Sequence, residues 1–190
     1  MLRGSILKGG VVMNLPNKLT MLRVFLVPVF VFLILNPIFG EANKWIVLAI
    51  FCVACFTDFL DGKIARKYNL ITNFGKFMDP LADKLLVCSA LICLISLDLL
   101  PSWFVVIVIA REFVVSGLRL IAVDNGIVIA ASWWGKFKTA FQMALIILLL
   151  INLEELKVVT TVIFWITLIL TLVSMIDYLW KNRSVVAQTK

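Results

Sequence analysis

The sequence predicts an all-α integral membrane protein, with six transmembrane helices and an N-terminal amphipathic helix on the interface. Three observations lead there. Of the 190 residues, 63% are hydrophobic and only 15% are charged, whereas soluble domains run near half and a quarter. The mean hydropathy of +1.08 is too high for a surface facing water. The apolar residues also fall in long blocks, each near the ~17–25 residues that can cross hydrocarbon.

The chain opens with residues 1–13, read as an extension without an assigned role. Leu15, Leu19 and Leu22 then recur at i, i+4 and i+7, the pattern of a helix lying on a membrane surface. Six apolar blocks follow, at residues 24–40, 45–60, 81–99, 103–123, 133–152 and 158–179. Pro37 and Gly40, Pro101, and Asp124-Asn125-Gly126 punctuate them. The first block starts after Arg23 and lacks a small-x-small site, so a cleaved signal peptide is not expected. Pro28 inside it is tolerable where neighbouring helices satisfy the freed carbonyl. Residues 14–181 form one membrane domain, and residues 182–190 a cytoplasmic tail.

Basic residues set the expected orientation. Sixteen of the 18 Lys and Arg fall on one side, leaving only Lys44 and Lys157 on the other. Both termini are therefore expected in the cytoplasm. The net charge of +7 reflects that face. Its basic residues abut spans instead of forming a continuous soluble surface, which argues against a nucleic-acid partner. Trp45, Trp103, Trp133, Trp134 and Trp180 sit near span ends, as an aromatic belt would. Cys52, Cys55, Cys88 and Cys93 lie inside apolar blocks and are expected as free thiols. There is no histidine, so acid–base or metal chemistry must rest on carboxylates.

Four such carboxylates fall within 26 residues. Asp58 and Asp61 stand at i, i+3; Asp79 and Asp83 stand at i, i+4. Each spacing puts a pair on one helical face. Clustered carboxylates beside a bilayer repel one another and are costly. Protonation or a bound cation relieves this, and all-oxygen ligation suits Mg²⁺ or Mn²⁺. Two ions would clamp a diphosphate for in-line displacement. Gly62 and Ala65 leave room for a ligand, Arg66 can meet a phosphate, and Gly75 is read as turning the chain before the second pair. Alternatively, Asp79 is an ordinary helix N-cap with Pro80 at the first helical position. A cation transporter using the same acids is a remoter alternative.

The pattern D-x2-D-G-x2-A-R-x8-G-x3-D-x3-D, complete here from Asp58 to Asp83, resembles the signature of the CDP-alcohol phosphatidyltransferases. The resemblance implies transfer of a phosphatidyl group from a CDP-linked lipid to an alcohol, with release of CMP. It implies that Asp58, Asp61, Asp79 and Asp83 hold divalent ions and that Asp83 is also the general base. It places Asn17, Thr20, Asp58, Gly62, Ala65, Arg66 and Thr72 at the CDP-lipid site. It further implies a homodimer in the plasma (inner) membrane, with its active site on the cytoplasmic face.

A second group bears on the acceptor. Glu112, Ser116 and Arg119 share one face of the fourth span, with Arg111 at its edge, and Gly135-Lys136-Phe137-Lys138-Thr139 opens the next. Ionisable residues inside an apolar run usually face a cavity. Arg111, Ser116, Arg119, Lys136 and Lys138 are candidates for an acceptor-phosphate pocket; an Arg111–Glu112 structural pair is the competing reading. These two segments look like the phosphatidylglycerophosphate synthase branch of that family. That likeness implies CDP-diacylglycerol as donor and sn-glycerol 3-phosphate as acceptor, with serine-, inositol-phosphate- or choline-type acceptors left open.

Overall fold

In the computed structural model, residues 15–67, 73–124, 129 and 132–183 are described; the side chains of 15–18, 58–67, 73–80, 83 and 124 are not. Among the described residues there is no β-strand. Six long helices run in order: α1 (Leu15–Leu35), α2 (Asn43–Lys67), α3 (Asn73–Ser96), α4 (Ser102–Asp124), α5 (Trp133–Ile151) and α6 (Lys157–Lys181). Short 3-10 turns, Gly40–Ala42 and Glu154–Leu156, precede α2 and α6.

Each helix coincides with one apolar block, but the ends differ. No break separates the expected interfacial segment from the first block: α1 is continuous through both, with Pro28 inside it. The sequence-based boundary at Arg23 marked a change in polarity, not a change in backbone. At the other end α1 stops at Leu35, and Asn36 donates its side-chain amide to Phe32 O at 3.0 Å. Helices α2 and α3 run well beyond their apolar cores. Consequently Gly75, Asp79 and Pro80 lie inside α3 rather than before it, which removes both the turn assigned to Gly75 and the N-cap alternative for Asp79.

Among the described residues, three stretches are long and apolar enough to cross a membrane: Gly40–Thr57, Trp133–Ile151 and Glu154–Lys181. Leu19–Leu35 and Lys84–Ser96 are shorter apolar helical stretches among the described residues. Helix α4 has 23 residues, about 34 Å at 1.5 Å per residue. It carries Arg111, Glu112 and Arg119 near its middle and second half, so charge rather than length sets it apart. The outer surface is apolar: Phe25, Phe113, Leu120 and Val158 are exposed, as are the five tryptophans near helix ends. A contiguous apolar exterior suits lipid, not water.

Helix α1 packs antiparallel on α2, with Arg23 opposite Ala54 and Leu33 opposite Asn43, and it also packs on α3. Helices α5 and α6 form a hairpin, α4 lies along α6, and α2–α5 and α3–α4 contacts join the two halves. The core draws on all six helices: Phe30, Phe51, Leu91, Phe104, Ile146 and Leu168 are buried in one cluster. Small residues such as Ala54 and Ala90, both fully buried, let helices approach where lipid offers no hydrophobic drive. Ser132 caps α5 by accepting from Gly135 N at 3.1 Å, and Asn152 ends it in the left-handed region at φ 45°, which Asn tolerates. All four cysteines are free.

Phe51 is fully buried, with its ring 5.9 Å from that of Phe30. In water-soluble cores Phe→Ala costs about 3–5 kcal/mol, part of it transfer from water. Lipid tails are as apolar as the core, so mainly the packing loss remains; Phe51→Ala is expected to cost about 1–3 kcal/mol. Exposed Phe56→Ala should stay within about 0.5 kcal/mol. Thermal unfolding in detergent compares them, and equal midpoints would contradict this core.

Candidate active site

Asp58 and Asp61 lie on α2, Asp79 and Asp83 on α3, with Gly62, Ala65 and Arg66 following on α2. Asp61 is six residues before the end of α2, and Asp79 six residues after the start of α3. The two helices are consecutive and in contact. The side chains of these residues and of Asn17 lie outside the described residues, as does Thr72 altogether.

Helix α1 meets this level. Arg23 is fully buried, and its Nε donates to Ala54 O at 3.3 Å, one helical turn before Asp58. Thr57 donates to the same carbonyl at 2.8 Å. Because the helices are antiparallel, Thr20 and Asn17 lie successively nearer the level of Asp58 and Asp61. Thr20 is fully buried. The sequence counted Arg23 among the topology charges and at the end of the segment carrying Asn17 and Thr20; its burial required knowing which face of α1 meets α2.

The second group divides in two. Arg111, 6% exposed, donates from Nη1 to Glu112 Oε1 at 3.1 Å and from Nε to Ser174 Oγ on α6 at 3.1 Å. Lys138 on α5, only 1% exposed, pairs through Nζ with the same Glu112 oxygen. Glu112 thus bridges two buried cations. A charge taken from water survives in such a place when an opposite charge and hydrogen bonds replace the solvent. Gly135 makes room for it, since a Cβ there would stand 3.1 Å from Arg111 Nη2.

Arg119 and Lys136, in contrast, are exposed. Arg119 Nε donates to the hydroxyl of buried Tyr178 at 3.3 Å, and Lys136 Nζ lies 4.5 Å from the centre of the Trp133 ring. Ser116 donates its hydroxyl to Glu112 O at 2.7 Å, within its own helix. The competing structural reading of Arg111 and Glu112 therefore finds its pair, with Lys138 as an unforeseen third member. Ser174 and Tyr178 were also unforeseen. They lie four residues apart on α6, a polar signal readable as one face, but nothing in the sequence says that α6 runs beside α4.

Between α3, α4 and α5 lies a cavity of about 50 Å³ bordered by Lys84, Cys88, Glu112, Thr139 and Gln142. Lys84 directly follows Asp83 on α3, and Glu112 borders the same cavity from α4. Gln142 is 3% exposed, and its Oε1 has no hydrogen-bond partner.

A family model for CDP-alcohol phosphatidyltransferase matches residues 13–173. The chain is 43% identical over 183 residues to the CDP-diacylglycerol–glycerol-3-phosphate 3-phosphatidyltransferase of Bacillus subtilis, covering 89% of this chain and 95% of that protein. It is 42% identical over 180 residues to a probable phosphatidylglycerophosphate synthase of Mycobacterium tuberculosis, covering 92% and 84%. The like-named Haemophilus influenzae transferase is 40% identical over 172 residues, covering 87% and 91%.

The Glu112 bridge makes its own prediction. Removing one partner of a buried ion cluster costs about 3–5 kcal/mol, whereas an apolar replacement of a whole pair is often neutral. Glu112 keeps some exposure, so Glu112→Gln should cost about 2–3 kcal/mol. Adding Lys138→Met should recover part of that loss, and Lys136→Ala should leave stability unchanged. Detergent melting curves of these variants and of Lys138→Met alone check this; a double variant whose loss equals the sum of the two singles would mean the pair does not couple.

Proposed function

The chain belongs to the CDP-alcohol phosphatidyltransferase family, and from that premise we propose that it transfers the phosphatidyl group of CDP-diacylglycerol to sn-glycerol 3-phosphate, giving phosphatidylglycerophosphate and CMP. The observation that carries the chemistry is the complete acidic pattern on two consecutive, contacting helices. The acceptor is supported by relatives at 40–43% identity named for glycerol 3-phosphate. Membership in this family sets the transporter alternative aside.

The donor set fits a divalent cation. Four carboxylates on neighbouring helices, with no histidine in the chain, make an all-oxygen site. Asp58, Asp61, Asp79 and Asp83 would hold Mg²⁺ or Mn²⁺, two ions in this proposal. Bound there, the metal supplies charge stabilisation to the transferring phosphoryl oxygens and to the departing CMP. Asn17, Thr20, Gly62, Ala65, Arg66 and Thr72 form the proposed CDP-lipid site, and the register of α1 against α2 supports the first two.

In the proposed reaction Asp83 takes the proton of the acceptor's primary hydroxyl. That oxygen bonds to the phosphorus carrying diacylglycerol, and the bond from this phosphorus to the CMP oxygen breaks. Arg119 and Lys136, being exposed, are the cations best placed to meet the acceptor's phosphate from water. Arg111 and Lys138 stand behind them, held by Glu112, and extend the positive field of the site. Ser116 completes the proposed pocket. The proposal includes six spans, a homodimer, and both termini and the active site on the cytoplasmic side. The concentration of basic residues on one side supports that orientation.

Purified protein given CDP-diacylglycerol, glycerol 3-phosphate and Mg²⁺ or Mn²⁺ is expected to release CMP, and a chelator should stop it. Thin-layer identification of the lipid across an acceptor panel tests the assignment; product from serine or inositol phosphate alone would move it. Asp83→Asn should lower turnover at least about 10³-fold while CDP-lipid binding persists. Turnover near wild type would exclude Asp83 as the base.

A further inference from the structure

At the end of the bundle away from the acids lies a cavity of about 350 Å³, within the range of ligand pockets. It sits where α1, α3 and α5 finish. Leu35, the last residue of α1, Leu97, just past α3, and Ile151, the last of α5, all border it. Asn43 and Lys44 border it from the start of α2. Asn43 precedes Asp58 by fifteen residues, about 22 Å along the helix, and the proposed reaction makes no use of this space. Asn43 is 5% exposed. Its Nδ2 donates to Leu33 O at 2.7 Å, which ties α2 to α1, but its Oδ1 has no hydrogen-bond partner. A buried oxygen left open beside a cavity calls for a donor from whatever fills it.

The charges around the cavity indicate what that donor belongs to. Three helix C-termini bring the negative ends of their dipoles here, and Glu41 adds an exposed carboxylate. Against them stands Lys44, half-buried, with Nζ 4.0 Å from Glu41 Oε2. So loose a pair holds together weakly, and each partner can meet a ligand group of opposite charge. The arrangement suits a positive, donor-rich group with a negative one beside it. The walls add a second requirement, since Ile34, Val47, Leu149 and Leu150 are apolar. A neighbouring cavity of about 380 Å³ shares Leu99, Leu149 and Asn152 with the first and continues along α5 to Leu145, against Phe164 and Trp165. A small water-soluble ion gains nothing from such a surface, whereas an acyl chain does. We infer that this end of the bundle binds a membrane phospholipid by its head group, with a primary ammonium at Asn43 and Glu41 and the phosphate at Lys44. The ammonium brings three N–H donors, enough for the open Asn43 oxygen and the Glu41 carboxylate together. The inference goes beyond the proposed reaction and holds whatever its acceptor.

The test compares dioleoyl phosphatidylethanolamine with dioleoyl phosphatidylcholine on the purified full chain in detergent micelles. Native mass spectrometry reads binding, and the thermal unfolding midpoint reads stabilisation. The two lipids share chains and phosphate, but the choline nitrogen carries no N–H. Wild type should bind the ethanolamine lipid at least about tenfold more tightly and melt at a higher temperature in its presence. Glu41→Gln should cut that preference to about twofold, and Lys44→Gln should weaken both lipids alike. Neither side chain is buried, so lipid-free midpoints matching wild type should certify that both variants fold. Asn43→Leu should also lose the preference, and it is read beside Glu41→Gln because it removes the bond to Leu33 O as well. Equal affinity of wild type for the two lipids, as expected of a cavity holding only water, would overturn the inference. So would a Glu41→Gln variant that kept the full preference. Soluble phosphoethanolamine that bound as tightly as the intact lipid would overturn the lipid assignment.

Discussion

An ionised side chain at the depth of these helices persists only where an opposite charge or a hydrogen bond stands in for water. Glu112 meets that requirement for two cations at once, Arg111 on its own helix and Lys138 on α5. Ser174 adds a contact from α6. Three helices are thereby tied at one level by charge, in a bundle whose apolar side chains gain little by leaving lipid. Gly135 is the steric counterpart: the guanidinium lies where any larger residue would crowd it.

The buried hydroxyls of α6 obey the same rule by local means. Thr167 and Thr171 donate to carbonyls four residues earlier, and Ser174 to one three residues earlier, at 2.7–3.0 Å. That stripe of small, internally satisfied hydroxyls lets α6 lie along α4 with each of the three hydroxyls bonded. It also presents Ser174 and Tyr178 to Arg111 and Arg119. Packing and electrostatics are therefore not separate layers here. The side chains that let two helices approach are the ones that fix where the cations point.

How much of this was legible from the sequence follows from what each signal measures. Six apolar blocks gave six helices because a block of that length has few other ways to satisfy its backbone in lipid. The ends were less legible. Polarity changes at Arg23, Leu60 and Leu81, but the hydrogen-bond ladder does not stop there, so α1, α2 and α3 run on past the apolar limits. Gly75 and Asp79-Pro80 carry turn and cap chemistry, yet both are accommodated within the first turns of α3. Within one helix, spacing placed Glu112, Ser116 and Arg119 on a face. Across helices it was silent: the Lys138–Glu112 pair spans 26 residues and Arg23–Ala54 spans 31. The acidic pattern was legible because its spacing lies along two consecutive helices.

The split between buried and exposed cations bears on how an anionic acceptor could be held and let go. Two buried cations without a counter-charge would strongly attract any small anion, because screening is weak in a low-dielectric interior. Glu112 cancels one of the two charges, leaving the trio with a net positive charge of one. Arg119 and Lys136 sit in contact with solvent, where an ion pair is worth far less. In the proposed reaction the acceptor's phosphate is steered by the summed field but bonded mainly by the exposed pair, so it can leave again as part of the product. In that proposed reaction the interior limits affinity: with Glu112 pairing Arg111 and Lys138, the buried cations do not hold the anion tightly, whereas an apolar residue at its position would leave both without a counter-charge.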